Sequence, residues 1–152
     1  MRAVARPGLG APGRDLMSAD EPRTSHHPTD VFDASRYGFA QAVSTPAGRL
    51  IFVSGQVAWD ADERLLATDL AGQAAAAMAN LQRVLAVAGA DLRHVTALRI
   101  YIVGDPPDTS GVSDALRAAF PAREGPAATW IRVQGLEGEG LLVEIEATAV
   151  VP

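Results

Sequence analysis

Apolar residues recur along this chain with two different periods, and the switches between them mark out its elements. Between residues 49 and 57 the period is two. Ile51, Val53 and Gly55 fall on one side, with Leu50, Phe52 and Ser54 on the other, which predicts a strand. Upstream, Thr45-Pro46-Ala47-Gly48 has proline at the second and glycine at the fourth position of a tight turn, so residues 38–44 are expected to pair with 49–57 as a hairpin. A further turn follows at Asp60-Ala61-Asp62-Glu63, then a short strand at 64–66. The period then changes to that of a helix. Leu70, Ala74, Ala77, Met78, Leu81, Val84, Leu85 and Ala88 form one stripe, with Gln73, Asn80 and Arg83 elsewhere on the wheel. Thr68 or Asp69 supplies an N-cap and Gly89 a stop.

Period two returns over 95–103, where Leu98, Ile100 and Ile102 oppose Ala97, Arg99 and Tyr101. Ser110 is placed to cap a second helix, whose stripe is Val112, Ala115, Leu116, Ala119 and Phe120 and which Pro121 stops. Two strands close the chain, at 127–134 and 141–151, joined by a Gly- and Glu-rich stretch from Gly135 to Gly140. In the last, Val143, Ile145, Ala147 and Ala149 alternate with Leu142, Glu144, Glu146 and Thr148. The fold class is therefore α+β, a mixed sheet with two helices on one face. Strands apolar on both sides need cover on the other face too, and a chain this short has nothing left to supply it but another copy of itself, which predicts a homo-oligomer.

Residues 1–30 break the pattern. Pro7, Pro12, Pro22 and Pro28 stand among Gly, Ser, Asp and Arg with no apolar period, so they are expected to form a flexible N-terminal tail before one domain at 31–152. His26-His27 lies in that stretch and is expected to be solvated. Composition narrows the chemistry further. The net charge is −5, lysine is absent and the arginines are scattered, which argues against a nucleic-acid partner. No apolar run is long enough to span a membrane. Glycines and prolines replace the apolar core of a signal peptide, so a cytoplasmic location is expected. Cysteine is absent, and His94 is the one histidine of the predicted domain, so no thiolate site, His-based metal cluster or cysteine nucleophile is expected.

Three groups of residues carry candidate chemistry. Ser54-Gly55-Gln56 ends an apolar strand; the serine can orient a ligand, or can simply end the strand while the glycine permits close packing. Glu144 and Glu146 project from one face of the last strand, either as an acid/base pair or as ordinary solvated charges. Trp130 shares a face with Ala128 and Arg132; the tryptophan can line a cleft or an interface. The arginine can hold a carboxylate or pair with Glu144 or Glu146 across a closing hairpin.

Taken together these pieces resemble the Rid family, also called the YjgF or reactive-intermediate deaminase family. The matching stretches are Ile51-Phe52-Val53-Ser54-Gly55-Gln56-Val57, the alanine-rich helix with Asn80-Leu81 and Ala88-Gly89-Ala90, Tyr101-Ile102-Val103, Gly125-Pro126-Ala127-Ala128-Thr129, and Val143-Glu144-Ile145-Glu146-Ala147. The resemblance spans about residues 35–151. It implies a chorismate-mutase-like fold and a homotrimer with a central barrel. It also implies small-molecule clefts between subunits, hydrolysis of enamines and imines to a carbonyl compound and ammonia, and no metal or organic cofactor. Carried over by position, Glu144 matches the glutamate that places the attacking water, and Ser54 and Gly55 match the pocket serine and glycine. Phe39 matches the first-hairpin aromatic, with Tyr37 competing. Ser113 falls where active members often carry asparagine, and Trp130 where they often carry cysteine.

The chain departs from the family at one position. Active members read Pro-Ala-Arg and grip a substrate carboxylate with that arginine, whereas here Pro126-Ala127 is followed by Ala128. Losing a buried charge-assisted contact of this kind costs on the order of 2–5 kcal/mol. Ordinary 2-aminoacrylate deamination is therefore expected to be weak unless Arg123, in a displaced Pro121-Ala122-Arg123, or Arg132 takes the role. The functions left open are an imine or enamine hydrolase, a non-catalytic small-molecule-binding or regulatory trimer, and a purely structural assembly.

Overall fold

The computed structural model describes residues 22–152. Its centre is a four-stranded sheet of β3 (Arg49–Gln56), β4 (Val95–Val103), β5 (Ala127–Val133) and β6 (Val143–Val151) in the order β3-β6-β4-β5. β6 runs antiparallel to β3 and β4, while β5 runs parallel to β4, so the sheet is mixed as the sequence predicts. Helices α1 (Leu70–Val87) and α2 (Ser110–Ala119) lie against one face. There Ala74, Ala77, Met78, Leu81 and Leu85 of α1 and Val112 and Leu116 of α2 pack on Val53, Leu98, Ile100, Ile102, Val143, Ile145 and Ala147. Within each strand, the alternation read from the sequence puts these residues together on one face. Asp69 caps α1 by accepting from the Gly72 N–H, and Gly89 takes the left-handed backbone (φ 70°) that ends it.

The other sheet face is bare in the protomer. Leu50 and Phe52 are 51% and 76% exposed there, and Ile131 joins them. This is the uncovered face on which the expectation of a second copy rests.

Several local expectations are corrected. Residues 38–44 do not pair with β3. β2 (Ala42–Ser44) pairs antiparallel with β1 (Thr24–His26), and β3 finds its partner in the longer, more apolar β6. β1 lies in the stretch expected to be tail, so the tail expectation fails for residues 24–26, while residues 1–21 lie outside the described residues. Arg23 fastens this strand: its Nε donates to the Arg93 carbonyl at 2.9 Å, and its guanidinium lies over the Phe120 ring at 5.9 Å. The neighbouring histidines are held rather than free: His26 Nε2 meets Ser44 Oγ and His27 Nε2 meets the Arg123 carbonyl, both at 2.8 Å.

The closing strands form no hairpin either. β6, apolar at every core-facing position, occupies the interior of the sheet, and β5 crosses to the far side of β4. The short strand expected at 64–66 reduces to a single bridge between Trp59 and Leu65. Asp108, rather than Ser110, serves the start of α2, accepting from the Ser110 N–H at 2.7 Å. Gln73 is fully buried, where its amide donates to the carbonyls of Ala67 and Gly140 and accepts from the Leu142 N–H. A buried amide with all three contacts satisfied ties α1 to the loop entering β6.

Candidate functional site

The predicted site residues fall into two groups on different parts of the protomer. The first lies where β3 meets β6. A bulge between Val53 and Gln56 breaks the β3–β6 register at Ser54-Gly55. Into the space beside Gly55 comes the side chain of Glu144: a Cβ on residue 55 would lie 1.7 Å from Glu144 Oε1. Glycine here is a steric requirement of the carboxylate's position. Ser54 is exposed beside it.

Glu144 and Glu146 share the bare face, as the alternation predicts, but their surroundings differ. Opposite them on β4 stand Tyr101 and Arg99. Arg99 forms an ion pair with Glu146, and the Tyr101 hydroxyl donates to Glu146 Oε2 at 3.2 Å. Desolvation, reinforced by Glu146, raises the Tyr101 pKa above its ordinary value, so the phenol stays protonated and remains a donor. Glu146 is thus committed to its neighbours. Glu144 makes no ion pair or hydrogen bond among the described residues, and it is half-buried. The sequence placed Arg99 and Tyr101 on one face of a strand; their link to the two glutamates needs the β4–β6 register, which no sequence pattern specifies.

The second group lies at the opposite edge, along β5. Trp130 pairs with Ile100 and Ala128 with Leu98, so both point to the helix-covered face, and Trp130 packs on the core. The Trp130 indole N–H is buried without a partner among the described residues. Phe39 reaches this edge because residues 38–41 run beside the start of β5. The Ala40 N–H donates to the Pro126 carbonyl at 2.8 Å. Gly125 admits the close approach, since a Cβ there would lie 2.3 Å from the Gly38 carbonyl oxygen. The Phe39 and Trp130 rings lie 6.4 Å apart, tilted by 43°. Tyr37 stacks on Phe39 at 6.3 Å and Phe32 meets it edge-on at 6.3 Å. Ser113 is buried within α2, in the helix layer rather than at either sheet edge.

Neither predicted cation stands over Ala128. Arg132 lies at the far end of β5, paired with Asp105 at 2.9 Å, and the expected pairing with Glu144 or Glu146 across a hairpin is absent because β4 separates β5 from β6. Arg123 sits in the loop before β5 with φ 66°, its guanidinium 3.9 Å from Asp33 and 3.5 Å from Ser35 Oγ. It lines a cavity of about 230 Å³ together with Phe39 and Arg117. Among the described residues no group of three His, Cys, Asp or Glu side chains is disposed to hold a metal, and no helix is long and apolar enough to cross a membrane.

Phe39 and Ala128 line a cavity of about 220 Å³ with Arg99 and Glu146, but Glu144 and Trp130 do not meet within one chain. Glu144 on β6 and Trp130 on β5 are separated by β4, about 10 Å across the sheet at ordinary strand spacing, and they occupy opposite faces.

Comparison with known proteins gives the architecture its relatives. The family model described as Endoribonuclease L-PSP matches residues 32–151. The protein DfrA of Myxococcus xanthus is 35% identical over 113 residues, covering 74% of this chain and 84% of its own. The crystal structure of YyfB from Yersinia pestis, a protein of unknown function in the conserved Rid family, superposes with a TM-score of 0.81 at 35% identity. That match covers 86% of this chain and 99% of the other. Rv2704 of Mycobacterium tuberculosis, a member of the YjgF/YER057c/UK114 family, is 32% identical with a TM-score of 0.59, covering 85% of this chain and 99% of its own.

Proposed function

The chain belongs to the endoribonuclease L-PSP family, the Rid or YjgF family of its structural relatives, and from that membership we propose that it hydrolyses a small imine or enamine in a cleft between two of its own subunits. One observation carries the reading: a half-buried carboxylate, Glu144, free of ion pairs among the described residues, set by Gly55 and Ser54 at the rim of an uncovered apolar sheet face. Covering that face with a second copy buries Leu50 and Phe52, and brings another protomer's β5 edge within reach of Glu144. A homotrimer closes such contacts without leaving a free face. The α+β fold and the mixed sheet with helices on one side are the scaffold of this arrangement.

The chemistry asks little of the protein. Water adds to the imine carbon, the π pair passes to nitrogen with a proton, and the carbinolamine collapses to a carbonyl compound and ammonia. Glu144 takes the proton from the attacking water and returns it to the leaving nitrogen, and the Ser54 hydroxyl orients the bound group. Neither step calls for a metal or an organic cofactor. The ribonuclease in the family's description fits this chain less well. RNA binding draws on clustered cations, whereas this acidic, lysine-free chain pairs Arg64, Arg93, Arg99, Arg117 and Arg132 with its own carboxylates.

The test is ammonia release from imines generated in situ, with Glu144→Gln as the control. Hydrolysis above the buffer rate that falls about 10²-fold or more in the variant, as expected for loss of a general acid–base, supports the reading. Binding of small carbonyl compounds with no turnover in the wild type replaces it by a non-catalytic binding trimer.

A further inference from the structure

We propose that the β5 edge selects substrates whose non-reacting part is an uncharged aromatic ring, rather than the carboxylate that an arginine at position 128 would grip. The inference rests on the imine-hydrolase reading above and names its substrate class.

Four of the chain's eight aromatic side chains, Phe32, Tyr37, Phe39 and Trp130, form one contiguous array at this edge. Their centroid separations of 6.3–6.4 Å lie in the range of attractive ring contacts. The array is not sealed in the core: Phe32 is 61% and Tyr37 43% exposed. Ala128, on the same face as Trp130 and paired with Leu98, presents a methyl group where a cation would be needed.

The nearby guanidinium groups do not replace it. Arg132 is held by Asp105, and Arg99, which lines one cavity with Phe39 and Ala128, is neutralised there by its ion pair with Glu146. Arg117 is held by Asp114, and Arg123 turns toward Asp33 and Ser35. A carboxylate entering here would lose its water without gaining a paired partner, which opposes binding. A neutral ring gains offset or edge-on contacts with Phe39 and Tyr37 and loses little on leaving water. The same edge therefore accepts an aryl imine and rejects an amino-acid-derived one.

The experiment uses the full chain and two pairs of probes. Ammonia release is followed from benzaldimine and from 2-iminobutyrate, both generated in situ. Binding of phenylacetamide and of 2-oxobutyrate is measured by calorimetry. The aryl member of each pair is expected to be favoured by roughly tenfold or more, the size of one or two ring contacts. Phe39→Leu should remove most of that preference, and Ala128→Arg should shift it toward the carboxylate probes. Arg123→Ala should leave the preference unchanged.

If 2-iminobutyrate is hydrolysed as well as benzaldimine, the substrate class is wrong although the hydrolase reading stands. A carboxylate affinity that disappears in Arg123→Ala would overturn it in the same way, by locating the missing cation. If phenylacetamide binds preferentially but no imine is hydrolysed, the hydrolase reading fails and the selectivity survives. Should neither probe bind and neither imine be hydrolysed, both are overturned.

Discussion

At position 55 the missing side chain is what gives Glu144 its place, and that makes the pair separable by substitution. Gly55→Ala puts a methyl group where Glu144 Oε1 now lies, so the carboxylate must swing away. The expected outcome is a loss of imine hydrolysis comparable with that of Glu144→Gln, about 10²-fold or more, with the circular dichroism spectrum unchanged. Retained activity in Gly55→Ala would show that the position of Glu144 is immaterial. Tyr101→Phe tests the neighbouring carboxylate by a smaller change. It removes the donor to Glu146 Oε2 but keeps the ring, and Arg99 still pairs with Glu146. Activity should therefore change much less than in Glu144→Gln. An equal loss would mean that Glu146, and not Glu144, handles the proton.

At the scale of elements, the helices and the central strands were legible because their periods are undisturbed. The stripe from Ala74 to Leu85 is the buried face of α1, and 95–103 is β4 with the faces the alternation assigned. Pairing was less legible. Whether β3 turns back on residues 38–44 or on β6 depends on which edge buries more apolar surface, a comparison between distant segments. The same holds for the two halves of the site. The residues were nameable from the sequence, but that Phe39 lies against Trp130 and Glu144 against Gly55 follows from the strand order. Gln73 lies off the apolar stripe of the wheel; its burial depends on three partners that only the folded chain supplies.

Element ends carry two further predictions. Removing the α1 cap with Asp69→Ala should cost about 1 kcal/mol in urea unfolding. Asp91, Asp33 and Asp108 all have pKa values lowered in the fold, Asp91 chiefly by its side-chain bond to Arg93 and Asp33 and Asp108 by bonds to Ser35 and Ser110. A carboxyl group with a folded pKa below its unfolded value near 3.9 stabilises the fold at neutral pH. That contribution is lost as the pH falls through the folded pKa. The urea midpoint should therefore drop below about pH 4, and the triple Asp→Asn variant should show a shallower drop in that window. An equal drop in the variant would place the acid sensitivity elsewhere.

For the molecule as a whole, Phe52, Leu50 and Ile131 leave an apolar face uncovered in the protomer, and the proposed trimer covers it. Sedimentation equilibrium should give three times the 15.9 kDa of one chain, and Phe52→Asp should reduce it toward a single chain with the helices intact. A site shared between subunits further requires Glu144 of one protomer to face the aromatic edge of another. Mixing tests it directly. Glu144→Gln and Phe39→Ala proteins, each with impaired aryl-imine hydrolysis, are dissociated together in mild denaturant and allowed to reassemble. Some interfaces in the mixed trimers then join an intact Glu144 to an intact Phe39, and activity should rise clearly above that of either parent. Mixed trimers no more active than their parents would contradict a site shared between subunits.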